Sequence, residues 1–349
     1  MIEWKRWRAS KGIAAILALG CFADAIAWAE SARIDSSEYL EVAGAKLFLM
    51  TRGANRHAPV LLWLHGGPGG AERPLFRYFD ADLERDFVVA YWDQRGTGRS
   101  FDANADPRQL TVARHLDDLD AVVDRLRDQL DQERIVLIGH SWGAALGLLY
   151  AQKHPDKIAA YIAVSPLVAT LAQQRAQYEY VSAEAARRRD DDALSQLRTI
   201  EAPPHRNAED VLAMEALANR YGGLYHTKPN QIWVMTSGML RGLVMPWEIP
   251  RYIRGNNVSL AAMNDELLAL DLPHMVPRVE VPVFFFVGRY DHHVDAAIAA
   301  RYFADLQAPH KQLVWFENSA HNAPFEEPEE FTRKVVSVLQ SVGLGGSAD

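Results

Sequence analysis

Six short, nearly unbroken apolar runs constrain this chain more than any other feature: 60–64 (VLLWL), 87–92 (FVVAYW), 135–138, 159–164, 283–287 (VFFFV) and 312–316. A strand that is apolar at consecutive positions buries both of its faces, as in a parallel sheet with helices on either side. Helical periodicity lies between the runs. Apolar residues at 116, 119, 122, 123, 126 and 130 form one stripe, which leaves Asp117, Asp118, Asp120 and Asp124 on the expected wet side. Residues 144–153 read as a second helix that stops before Pro155. Segment 39–49, with Ala43-Gly44 near its turn, reads as a hairpin ahead of the first run. The class is therefore α/β, a mostly parallel sheet covered on both faces.

Between 167 and 273 the strand-like runs vanish and helix formers dominate, with Tyr178, Tyr180, Tyr221, Tyr225, Trp233, Trp247 and Tyr252 interleaved. This segment is expected to be a helical cap inserted into the core, most of its aromatics packing the two together. The core would then run from 30 to 166 and resume from 274 to 349, a division that suits 349 residues.

Residues 1–29 differ from the rest. Lys5, Arg6, Arg8 and Lys11 precede an apolar run over 12–22, and three overlapping Ala-x-Ala patterns follow between Ala23 and Ala29. That order is the layout of a signal peptide. The run is shorter than the roughly 20 residues a spanning helix needs. An uncleaved anchor is the alternative, and in either case the body is expected outside the cytoplasm, periplasmic or secreted. Cys21, the only cysteine, lies within this segment, either as one more apolar residue or as a lipidation site. Without 1–29 the net charge moves from −8 to −10, which suits no nucleic-acid partner.

Candidate chemistry begins at Gly139-His140-Ser141-Trp142-Gly143, between a strand and a helix. A serine on such a turn is exposed as a nucleophile, with flanking glycines permitting close backbone approach. Asp291 follows the VFFFV run and His321 follows the last run, in the order nucleophile, acid, histidine. Ligand sites in open α/β sheets lie beyond the carboxyl ends of the strands, where all three belong. Ser141 would attack, His321 would relay its proton, and Asp291 would orient the imidazole. Asp295 competes with Asp291 but lies where a helix begins. His292 and His293 read as exposed loop residues, His140 as a packing or hydrogen-bonding residue, and Asp93 as a structural turn with a paired arginine. The backbone N–H groups of Trp142 and of Gly67, in His65-Gly66-Gly67-Pro68-Gly69, are the candidate oxyanion donors.

No metal or cofactor is expected. There is no His-Glu-x-x-His, phosphate loop or dinucleotide fingerprint, and 102–106 begins like a calcium loop but meets Pro107 where glycine is required.

HGGPGG at 65–70, DQRGTGRS at 93–100, GHSWG at 139–143, GRYD ending at Asp291 and SAH ending at His321 together resemble the proline iminopeptidase-like branch of the α/β hydrolases, over roughly 39–338. The resemblance implies an eight-stranded sheet with a helical cap. It also implies cleavage of acyl bonds, including the amide after an N-terminal residue, and a substrate pocket lined by His65, Gly66, Pro68 and Gly69 beside the oxyanion donors. His140 departs from the glycine frequent there. Cap carboxylates hold the substrate amine in that family; Glu179, Glu184, Glu248 and Asp265 are available, and none matches the pattern. A small-molecule or short-peptide substrate is expected, with oligomeric state open. A carboxylesterase or lactonase with the same triad, and a non-catalytic binding module on the same fold, are the rivals. Serine at 141 argues against an epoxide hydrolase or dehalogenase.

Overall fold

A computed structural model of the chain describes residues 33–200, 202–226, 233–234, 236–237, 241 and 243–345. The N-terminal stretch 1–29, with Cys21, lies outside the described residues. Eight strands form one sheet: β1 (Ile34–Val42), β2 (Ala45–Gly53), β3 (Val60–Leu64), β4 (Val88–Asp93), β5 (Ile135–His140), β6 (Ile158–Val164), β7 (Val283–Gly288) and β8 (Lys311–Phe316). Their order across the sheet is β1-β2-β4-β3-β5-β6-β7-β8. The hairpin turns at Ala43-Gly44, both at positive φ, and β2 lies antiparallel to β4. All remaining pairs are parallel.

Alternation along each strand divides the core. In β3, Val60, Leu62 and Leu64 face one layer, and Leu61 and Trp63 the other. α1 (Arg73–Phe79) covers the second layer; α2 (Val112–Leu130) and α3 (Trp142–Lys153) cover the first. α3 is buried from Trp142 to Ala151, so its sequence is apolar all round rather than amphipathic.

Between β6 and β7 come α4 (Thr170–Arg188), α5 (Asp191–Ile200), α6 (Ala208–Arg220), α7 (Ile249–Leu268) and α8 (Leu272–Met275). The excursion is stitched where it leaves and returns: Ala169 bridges Asp271, and Leu272 N–H donates to Val168 O at 2.8 Å. Val181, Leu197, Met214 and Tyr221 give it a small core of its own. Not every aromatic packs as expected, since Trp247 is 76% exposed. After β7, α9 (Ala296–Asp305) joins the first layer; α10 (Ala323–Glu326) and α11 (Pro328–Ser341) join the second.

The charge pattern of α2 corrects the reading of its wet side. Asp118 is fully buried and accepts from Arg95 Nε at 2.7 Å, while Arg95 also donates to Val42 O at 3.0 Å. Asp93 is buried too. Its arginine is Arg73, at 3.0 Å, rather than the neighbouring Arg95. Removing one member of a buried pair strands the other charge, at a cost of about 3–5 kcal/mol. Asp118→Ala should therefore lower unfolding free energy by about that much in urea titration. A loss comparable to that of an exposed pair would show that Arg95 finds water instead.

Candidate active site

The sheet order reverses at β3. The chain passes from β3 to β4 on one side, then crosses to β5 on the other. Loops leaving the carboxyl ends of β3 and β5 therefore diverge, and a crevice opens between them. HGGPGG leaves β3 and the serine turn leaves β5.

Ser141 has φ +54 and ψ −114, a strained conformation for a residue with a Cβ, and α3 starts immediately after it. The turn is possible because glycines flank it. A Cβ on Gly143 would lie 2.1 Å from Leu64 O, and one on Gly139 would lie 2.3 Å from Gly143 O. Trp142 occupies the first helical position, where the backbone N–H has no partner within the helix.

Asp291 is 1% exposed, and its Oδ1 accepts from the backbone N–H groups of His293 (3.0 Å) and Val294 (3.1 Å). Its Oδ2 meets His321 Nδ1 at 2.9 Å. Burial pushes this carboxyl up, but His321 and the backbone donors outweigh it, so the net shift is downward. Asp295 instead caps α9, accepting from Ala297 and Ile298 N–H at 3.1 Å. Ser141 and His321 line one cavity of about 390 Å³, together with Gly66, Gly67 and Gly69.

His65 and Pro68 do not line it. Both are buried, and His65 works from beneath the loop. Its Nε2 accepts from Gln94 N–H at 3.0 Å, so its Nδ1 carries the proton donated to Gly66 O at 2.9 Å. Gln94 in turn donates to His65 O at 2.8 Å and accepts from Trp142 Nε1 at 3.1 Å. One glutamine side chain thus ties the loops after β3, β4 and β5 together.

His292 and His293 both depart from the exposed-loop reading, and His292 is half-buried and stacks on Tyr180 at 3.9 Å. His293 is no exposed loop residue: it lines the cavity, packs edge-on against His321 at 4.6 Å, and burial with the neighbouring His321 pushes its imidazole down to about 3. His140 is a hydrogen-bonding residue, with a partner that no motif announced. Its Nδ1 meets Glu72 Oε1 at 2.7 Å and its Nε2 meets His321 O at 3.1 Å. Both ring nitrogens face acceptors, so both donate only when the ring is an imidazolium. Burial lowers its pKa, but Glu72 outweighs burial, with Asp291 adding to it, and the net shift is upward. Glu72 Oε2 also accepts Gly66 N–H at 3.2 Å, linking the glycine loop to the backbone of His321 through His140.

The four carboxylates available in the sequence for an amine lie elsewhere. Glu179 and Asp265 are exposed, Glu184 pairs with Arg187 and Arg188, and Glu248 pairs with Arg99 at 2.9 Å. None lines the cavity; Glu215 of α6 does. Burial raises its carboxyl to about 7, and among the described residues no lysine or arginine lies within ion-pair distance of it. Its only sequence signal is a place on a helix inserted between β6 and β7, which many acids share. No cluster of metal-ligating side chains occurs among the described residues.

The raised His140 value has a definite sign. Stability contributed through a raised group is complete below its unfolded value, near 6.5, and is lost as pH rises through the folded value. In urea unfolding, wild type and Glu72→Gln should differ most below about pH 6.5 and converge at higher pH. A difference independent of pH would mean that His140 is neutral throughout.

Comparison with known proteins agrees with this architecture. Residues 59–328 match a family model described as the alpha/beta hydrolase fold. The probable aminopeptidase YbaC of Bacillus subtilis (strain 168) is 30% identical over 294 residues, covering 84% of this chain and 92% of that protein. The proline iminopeptidase of Saccharolobus solfataricus is 28% identical over 304 residues, covering 83% and 87%. The crystal structure of the proline iminopeptidase of Mycobacterium smegmatis superposes with a TM-score of 0.65 at 21% identity, covering 88% of this chain and 99% of that one.

Proposed function

The chain belongs to the α/β-hydrolase fold family, and from that premise we propose that it is a serine aminopeptidase releasing N-terminal residues from short peptides or small amides. The observation that carries the reading is Glu215, an uncompensated carboxylate in the cavity that Ser141 and His321 also line. A substrate ammonium supplies the missing cation, and pairing restores the ionised carboxylate that burial disfavours. The cavity wall beside it is apolar (Leu75, Leu212, Leu224, Phe325), which suits an uncharged side chain on the terminal residue.

In this reading His321 takes the Ser141 hydroxyl proton as the oxygen attacks the scissile carbonyl, and Asp291 steadies the imidazolium that forms. The oxyanion is met by Trp142 N–H and by Gly67 N–H, since Gly66 N–H is already committed to Glu72. His321 then protonates the departing amine, and water releases the acyl group by the same relay. The same machinery cleaves esters. The distinguishing demand is the free amine, and an esterase or lactonase has no use for Glu215.

The N-terminal sequence 1–29 supports a periplasmic or secreted enzyme. Its cap, on this proposal, spans 167–273.

Parallel assays on aminoacyl arylamides and short-chain aryl esters test the proposal. Arylamide hydrolysis should require a free α-amine, and its KM should rise as pH falls through about 7, where Glu215 takes up a proton. Glu215→Gln should raise that KM roughly ten- to a hundred-fold while leaving the ester KM unchanged. Ester turnover without arylamide cleavage would reject the peptidase reading. Ser141→Ala should abolish labelling by a fluorophosphonate; retained labelling would place the nucleophile elsewhere. Asp291→Asn should keep the fold and cut kcat by about 10⁴.

A further inference from the structure

A second and larger hollow, about 830 Å³, lies on the other side of α7 from the catalytic cavity. No residue lines both. Tyr252, Ile253, Asn256 and Asn257 of α7 face the catalytic side, whereas Pro250, Arg251, Arg254 and Val258 face the second cleft. The two sets recur at helical spacing, so α7 is the partition.

The cleft has a charge unlike that of its chain. Lys46, Arg95, Arg99, Arg251 and Arg254 line it, against the carboxylates of Asp102 and Asp106, in a protein of net charge −8. Asp106 is engaged by Arg108 at 2.8 Å. Arg95 and Arg99 are held by Asp118 and Glu248 and form a fixed wall. Arg251 and Arg254 are different. They project one turn apart from the first turns of α7, are exposed, and have no carboxylate within ion-pair distance among the described residues. The helix N-terminus adds positive potential of its own there.

Flat apolar groups stand among these cations. Trp247 is 76% exposed and lies four residues before Arg251; Tyr39, on β1 across the cleft, is 52% exposed. Arg254 lies 5.9 Å over the Phe101 ring. Two guanidinium groups without a carboxylate partner among the described residues, beside the exposed rings of Trp247 and Tyr39, make a receptor for a carboxylate attached to a flat apolar body.

We propose that this cleft is a second ligand site, taking a carboxylate that bears an aromatic or similarly flat group, with Arg251 and Arg254 on the anion and Trp247 on the ring. Such chemistry occurs in a free aryl carboxylate and at the C-terminus of an aromatic-ended peptide. The cleft is also wired to the reaction side. Arg99, in its wall, pairs with Glu248 at the start of α7, and its backbone N–H donates to Asp93 at 2.8 Å. Asp93 holds Arg73, which donates to the hydroxyl of Tyr252 in the catalytic cavity at 2.8 Å.

Calorimetric titration of the full chain with N-acetyltryptophan and with its neutral amide tests the site, because the two differ only in the carboxylate and neither carries a free amine for Glu215. The acid should bind one to one, about ten-fold more tightly than the amide. Arg251→Gln/Arg254→Gln should remove that advantage with little change in Tm, since neither side chain has an ion-pair partner among the described residues and the contact of Arg254 with Phe101 is long and exposed. N-acetyl-Ala-Trp compared with N-acetyltryptophan separates the sources: tighter binding of the dipeptide assigns the cleft to peptide C-termini, and equal or weaker binding assigns it to small aryl acids. Equal binding of acid and amide, undiminished binding by the double variant, or no saturable binding would overturn the proposal.

Discussion

The site depends on one contact between backbones. Leu64 O, at the end of β3, comes so close to the first turn of α3 that no Cβ fits at Gly143, and that turn itself, folded back on the end of β5, excludes one at Gly139. That approach goes with the positive-φ conformation Ser141 adopts in the strand-to-helix turn, and it sets the β3 loop beside Ser141. Gln94 then clamps the assembly through His65 and Trp142 without itself lining the catalytic cavity. A buried, fully hydrogen-bonded polar web of this kind rigidifies what it connects. The strain at Ser141 persists because the turn is over-determined by its surroundings.

Most of the core was legible because its signals are local. β3, β5 and β7 are buried at every position and apolar along nearly all of their length, and the turn glycines leave a mark in sequence wherever backbones touch. Limits of the buried strands shifted by one or two residues, as at β4, where Asp93 extends the strand past its apolar run, while the hairpin read over 39–49 extends from Ile34 to Gly53. The loop histidine His65 carried the right motif with an unforeseen placement. A side chain in a glycine-rich loop can face the cavity or the floor beneath it, and periodicity does not decide which.

What sequence left unread is which charged side chains are buried and with whom. Asp118 reads with Asp117 and Asp124 as one run of acids along α2, yet it is sunk against Arg95, a partner 23 residues away in the loop after β4. Asp93 and Arg73 meet across 20 residues, and His140 and Glu72 across 68. Each pair became compatible with burial only once the partner was in place, since an isolated buried charge is costly. Long-range complementarity of this kind has no sequence period. It appears only when the topology has brought β3, β4 and β5 side by side.

Glu215 is the opposite case, and it separates the two halves of the molecule. Around the candidate site the sheet and its loops satisfy their charges internally: Asp291 has His321 and two backbone donors, Asp93 has Arg73, and Glu72 has His140 and Gly66, whereas Asp80, at the end of α1 and outside the cavity lining, is buried with neither oxygen partnered and burial raises its carboxyl. α6 leaves its carboxylate unpaired at the same cavity, with burial holding it near 7. An acid in that condition opposes folding increasingly as pH rises from its unfolded value near 4.5 to about 7, and it gains most from a cation that arrives with the substrate. Reaction chemistry is thus built into contacts the sheet completes alone, and selection of the substrate into a contact the protein leaves incomplete. The motifs that mark the first kind recur because backbone geometry demands them. The second kind is one carboxylate on one helix face, and only the fold shows what it faces.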